Sequence, residues 1–198
     1  YVMNADGSER QQVPLPPLDI DLPHGPQWSR DGLWLTFSGS GGAPHSHVYI
    51  VRPDGSGFRQ LTSGSGNFGE ADFSPDGTQI VFHEVYGHLY IINVDGTGLT
   101  EHPVYVSHTR WSPDGRYIVY SNWGFTYDSD LFLYDLTTGQ STQITHHAPG
   151  QAFNRADWSP DGKKLSVDGL DRVRNQSDVW MMNADGSNLV KLTPDGNI

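Results

Sequence analysis

The chain has 198 residues, a length that suits one domain, with a net charge of −11, 35% hydrophobic residues and 12% aromatic residues. That charge excludes non-specific attraction to nucleic acid or an anionic membrane surface, and no apolar run approaches the roughly 18 residues that span a bilayer. Cysteine is absent, so no disulfide framework holds the fold, while 23 Gly and 13 Pro mark many turns between short elements.

Taken in chain order, residues 1–13 read as two strands joined at Asn4-Ala-Asp-Gly7. Asp-Gly between two strand-like runs signals a hairpin, because glycine accepts the positive φ that such turns demand. A longer unit covers 24–62: Trp28-Ser-Arg-Asp-Gly32, the run Val48 to Val51, a turn at Arg52-Pro-Asp-Gly55 and a closing Arg59-Gln-Leu-Thr62. The unit at 69–104 repeats it with Phe73-Ser-Pro-Asp-Gly77, Gln79 to Phe82, Leu89 to Asn93 and a turn at Asn93-Val-Asp-Gly96. At 107–145 come Trp111-Ser-Pro-Asp-Gly115, Tyr117 to Tyr120, Leu131 to Tyr134, the longer turn Asp135-Leu-Thr-Thr-Gly139 and Gln143-Ile-Thr145. The last unit, 154–193, carries Trp158-Ser-Pro-Asp-Gly162, Val179 to Asn183, Asn183-Ala-Asp-Gly186 and Lys191-Leu-Thr193.

The motif aspartates Asp31, Asp76, Asp114 and Asp161 are spaced 45, 38 and 47 residues apart. An all-strand period of that size predicts β-propeller blades, each of four antiparallel strands a to d, which bury their faces only by stacking on neighbours. The expected architecture is all-β: four complete blades and an N-terminal half blade (strands c and d) within a single domain, 1–198. Trp28, Trp111 and Trp158 recur at one blade position and are expected to pack between blades.

Trp-Ser-Pro-Asp-Gly, the following strand, Asn-Ala-Asp-Gly-Ser and the closing Leu-Thr resemble the repeat of the TolB-like β-propeller family, over essentially the whole chain. The Trp-Asp ending of ordinary WD repeats is missing. The resemblance implies a six-bladed ring and an extracytoplasmic (periplasmic or secreted) bacterial scaffold that engages partner proteins. Tyr1 to Ser8 repeat Trp180 to Ser187 with six of eight residues identical. The chain is therefore expected to be a contiguous part of a larger ring, or to self-associate so that another copy completes the half blade.

Blade topology sorts residues by face. The turn aspartates gather at one end, where they bond nearby backbone amides. His24, His108, His146 and His147 fall in d–a segments at the other end, with His45, His47, His83 and His88 in or beside b–c loops. Trp123, Phe125 and Tyr127 share one b–c loop there, and such rings stack on sugars or peptide side chains. Residues placed just before strand a should line a central funnel: His24, Glu70, His108, Asn154 and Arg155. Arginine and histidine there suit carboxylates; His24, Glu70 and His108 are the candidate ligands for a divalent metal, though no close-spaced ligand pair supports one.

No nucleophile elbow, phosphate-binding glycine loop or cysteine nucleophile is present. The expected function is a non-enzymatic binding or assembly module without a cofactor, which holds a protein, peptide or glycan on its loop face or funnel. The alternatives are a lyase of uronate-containing polysaccharide, with His24, His108 and Arg155 as catalytic candidates, and the propeller of a serine peptidase.

Overall fold

A computed structural model of the chain describes residues 1–16, 20–41, 45–122 and 128–194. Its strands are β1 (Ile20–Trp28), β2 (Leu35–Gly41), β3 (Ser46–Val51), β4 (Arg59–Gln60), β5 (Phe68–Phe73), β6 (Gln79–Glu84), β7 (His88–Asn93), β8 (Thr100–Tyr105), β9 (Ser107–Trp111), β10 (Tyr117–Ser121), β11 (Leu131–Asp135), β12 (Gln140–Gln143), β13 (Gln151–Trp158), β14 (Lys164–Asp171), β15 (Gln176–Asn183) and β16 (Val190–Lys191). They form four antiparallel four-stranded sheets, each joining its strands in sequence order, and no helix occurs among the described residues. Each sheet is one propeller blade. Residues 1–16 add a further hairpin, closed by the bridge between Val2 and Gln11.

The turn between the first two strands has one geometry in all four blades. The motif serine, Ser29, Ser74, Ser112 or Ser159, donates its hydroxyl to the aspartate two residues on, at 2.5 to 2.7 Å. The same hydroxyl accepts the amide five residues on, from Trp34, Gln79, Tyr117 or Lys164, at 2.8 to 2.9 Å. Serine thus closes the hairpin by bonding in both directions, while glycine supplies the left-handed φ.

These turns have a pH signature. The serine hydroxyl is the largest influence holding Asp31, Asp76, Asp114 and Asp161 below the ordinary 3.8. A folded pKa below the unfolded one contributes stability above pH 3.8 that is lost as pH falls through the folded value. Burial acts earlier on His47 and His102, whose folded pKa lies below the ordinary 6.5. Charging them is harder in the folded state, so stability should decline from pH 6.5 downward. Unfolding free energies measured by urea at successive pH values are expected to show both phases; a flat profile from 6.5 to 3.8 would contradict the burial of these two rings.

The chain forms two compact units, Tyr1–Val85 with Tyr90–Glu101, and Tyr86–Leu89 with His102–Ile198. In the first, Val48, Ile50 and Leu61 pack on Ala71, Phe73, Ile80 and Phe82 of the next blade. The other face of its first blade covers Val2, Val13 and Leu15 with Leu35, Phe37, Tyr49 and Val51. In the second unit Val119, Leu131 and Ile144 meet Phe153, Ala156, Leu165, Val167 and Met182. Alternate residues of each strand point to opposite faces, so within each unit a blade offers one apolar set to its neighbour.

The recurring tryptophans do not share one environment. Trp111 is buried and Trp158 packs partly against the second core, but Trp28 is 48% exposed. Trp28 rims a hollow of about 310 Å³ with Tyr1, Val2, Val13 and Leu15. Its neighbour there is the 1–16 hairpin, held by a single bridge rather than by a full sheet. Trp28 thus faces the 1–16 hairpin across the edge of the first blade and is covered by it only in part.

Candidate functional site

Each blade has its first strand at one edge of the sheet, and all four of these strands carry a bulge. Register shifts fall around His24 in β1, between Gly69 and Asp72 in β5, between Ser107 and Arg110 in β9, and between Phe153 and Arg155 in β13. Six residues before the motif aspartate stand Gly25, Glu70, His108 and Arg155. The first three have positive φ, 61°, 22° and 53°. A non-glycine residue in that region costs about 1–2 kcal/mol, and bulges re-aim side chains where a sheet meets a ligand.

His24, Glu70, His108, Asn154 and Arg155 therefore lie inside the first strands and not ahead of them, which corrects the expected position. A bulge breaks the two-residue alternation, so the hydrophobic pattern that marks each strand starts only after it.

In the first unit His24 is exposed and Glu70 half-buried. Gly25 leaves space over Glu70: a Cβ there would lie 3.7 Å from the Glu70 Cγ. In the second unit Arg155 Nε donates to His108 Nδ1 at 3.2 Å. Two residues further along the same strands, Arg110 Nε donates to Asp157 Oδ1 at 3.1 Å. Asn154 Oδ1 accepts the Ser129 hydroxyl at 2.6 Å, and the Phe153 amide donates to the Ser129 carbonyl at 2.8 Å. Trp123, Phe125 and Tyr127 lie outside the described residues. Among the described residues no three His, Cys, Asp or Glu side chains are grouped as a metal ion requires.

Several other histidines are parts of the framework. His47 and His83 are buried inside β3 and β6, His88 packs edge-on against Tyr105 at 4.6 Å, and His102 Nδ1 lies 3.0 Å from the Tyr134 hydroxyl. The histidine-rich ligand face expected at that end is thus smaller than the sequence suggests, because strands covered on both faces enclose the rings at their ends.

Asp130 is the residue that sequence reasoning missed. Its buried carboxylate accepts from the Thr145 hydroxyl at 2.8 Å, the His147 amide at 2.9 Å and Gln143 Nε2 at 2.9 Å, and lies 2.9 Å from His147 Nδ1. The threonine of the closing Leu-Thr does the same elsewhere. Thr193 donates to Asp178 at 2.7 Å, and Thr62 lies 3.4 Å from His47 Nδ1. In all three blades that threonine also accepts a backbone amide of the third strand, from Val48, Leu131 or Val179. A polar residue fifteen positions ahead of each such threonine was the available signal. The Thr193 hydroxyl, followed by Lys191 at 2.9 Å, holds the Asp178 carboxyl below its usual range.

The family model for the dipeptidyl peptidase IV N-terminal region matches residues 73–155. The Tol-Pal system protein TolB of Francisella tularensis is 30% identical over 116 residues, 54% of this chain and 26% of that relative. The chain thus spans about a quarter of the length of the curated TolB relatives it matches. A solved structure assigned as TolB of Agrobacterium tumefaciens superimposes with a TM-score of 0.75 at 19% identity, covering 87% of this chain and 65% of that one. An oligogalacturonate lyase in complex with manganese superimposes at 0.66 and 18%, covering 85% and 52%. At those identities the structural likeness is one of fold.

Proposed function

Because the chain is a TolB-like β-propeller, we propose that it is a non-catalytic binding scaffold whose first-strand bulges hold a segment of a partner protein outside the cytoplasm. The observation that carries this reading is the recurrence of the bulge in all four first strands, with Glu70 and His108 kept at left-handed φ. Packing alone does not call for that cost, since glycine fills the same position in the first blade as Gly25. A strained residue bearing a titratable side chain is a reason to suspect a ligand.

A lyase that abstracts a proton through His108 is the weaker reading. The ring accepts from Arg155 at Nδ1, so the neutral imidazole carries its proton on Nε2, and neither nitrogen is placed to act as base.

Selection of a displayed peptide library on the folded chain tests the proposal. Selected peptides should lose at least about tenfold in affinity on the His108→Ala/Arg155→Ala double variant, as removal of a charge-assisted hydrogen bond implies. They should be indifferent to Asp95→Ala at the opposite turn end. Peptides insensitive to the double variant, or none selected, would remove the bulges as the binding surface.

A further inference from the structure

Three of the four blades carry the same pair of stacked rings. Phe37 stacks on Tyr49, Phe82 on Tyr90 and Tyr120 on Phe132, with centroids 5.4 to 5.6 Å apart and planes within 21° of parallel. Each pair joins the residue six after the motif aspartate, on the second strand, to an aromatic residue on the third. In the fourth blade those positions hold Val167 and Trp180, cross-strand partners as Phe37 and Tyr49 or Tyr120 and Phe132 are. The edge-on contact of the second blade is kept: Phe153 meets Trp180 at 6.0 Å as Phe68 meets Tyr90 at 5.8 Å. Only the ring at Val167 is missing.

Trp180, with no ring to stack on, lies across Gly169. A Cβ at that glycine would be 2.6 Å from the indole Nε1, although its φ is not left-handed and the strand itself asks for no glycine. Beside them is a hollow of about 200 Å³ lined by residues of the fourth blade, the half-buried Trp180 among them. Sheet register gathers its walls on one face. Phe153, Gly169 and Asp178 form one cross-strand row, Trp180 and Lys191 the next towards the motif turn, and Gln151 and Asp171 the next in the other direction.

We propose that this hollow binds one neutral pyranose ring of a glycan, stacked on Trp180 in place of the missing aromatic ring. The site goes beyond the scaffold reading and uses neither His108 nor Arg155. Its size admits a single ring, since pockets for drug-sized ligands begin at about 300 Å³. Its charges favour a neutral ligand. Lys191 Nζ lies 2.9 Å from Asp178 Oδ2 and Arg174 Nε 3.8 Å from Asp171 Oδ2, so each carboxylate in the wall already has a cation. A carboxylate so paired keeps lone pairs for a hydroxyl. Gln151, Asp171, Asp178 and Lys191 stand on the four successive strands β13 to β16, so polar groups border the hollow along its whole width. A pyranose carries hydroxyls round its perimeter and a C–H face for the indole. A phenylalanine or tyrosine side chain has the flat face but at most one hydroxyl, and would leave most of that border unmatched.

The Trp180 indole N–H signal in nitrogen–proton correlation spectra of the whole chain, assigned by its loss in Trp180→Phe, reads occupancy. It should shift on titration with a methyl pyranoside of glucose, galactose, mannose or N-acetylglucosamine, with millimolar affinity. Galacturonate and glucosamine, which add a charge, should bind at least about threefold more weakly than the neutral sugar. Gln151→Ala should weaken binding about three- to tenfold, the size of one net hydrogen bond. Val167→Phe, which restores the pair found in the other blades, should abolish the sugar-induced shift. Gly169→Ala, which displaces the indole, should weaken binding too and carries the test if the larger ring prevents folding. A response to p-cresol but to no sugar would assign the hollow to an aromatic side chain and overturn the proposal, as would a response to neither. Tighter binding of a charged sugar, or titrations unchanged in Gln151→Ala and Gly169→Ala, would overturn it as well.

Discussion

Asp130→Ala is expected to destabilise the second unit by about 3–5 kcal/mol, the range for removing one partner from a buried charged network. The carboxylate is 6% exposed and serves Thr145, Gln143 and both the amide and ring of His147. Deleting it orphans several donors at once, each at a desolvation cost of about 1–3 kcal/mol if it stays buried. The damage should spread, because Ser129 and Asp130 are adjacent and Ser129 holds the Phe153–Asn154 backbone and amide. Asp130→Asn keeps the volume and one acceptor oxygen, and should cost less. Urea unfolding followed by near-ultraviolet circular dichroism measures both; a loss under about 1 kcal/mol in the alanine variant would show that water replaces the carboxylate and that the network is not structural.

Gly186→Ala is expected to cost more than about 3 kcal/mol, and its comparison with Gly77→Ala separates two causes. Both glycines have left-handed φ, 86° and 72°, so alanine at either incurs about 1–2 kcal/mol of backbone strain. At Gly77 an added Cβ meets nothing within 4 Å. At Gly186 it would collide with the Ile144 carbonyl oxygen of the neighbouring blade and lie 3.0 Å from the carbonyl carbon. Backbone cannot swing aside as a side chain can, so the hairpin or the blade contact must shift. Gly55→Ala should behave likewise in the first unit, where the Pro14 carbonyl oxygen occupies the space. Equal losses at Gly77 and Gly186 would mean that the blades separate at little cost at this turn.

Gly77 and Gly186 share a turn geometry but not a neighbourhood. Asp-Gly signals a turn at Gly77 and Gly186 alike, and both turns form. Which glycine is also a contact between blades depends on what Ile144 does 42 residues away. Histidine shows the same limit. His47 and His108 are both polar residues near strand ends, yet His47 is enclosed between covered faces while His108 stands on a bulge. Burial and bulging are properties of a pair of strands, and neither is written in the strand that shows them.

By itself the sequence determined the blade order, the turns and the alternation of buried residues, since serine, aspartate and glycine act on backbone atoms within five residues of themselves. Tertiary structure alone decided the burial of His47, the network at Asp130 and the pairing of Arg155 with His108. The directions of the hydrogen bonds at Asn154 and His108 come from partners 25 and 47 residues distant, which only the stacking of one blade on the next brings within reach.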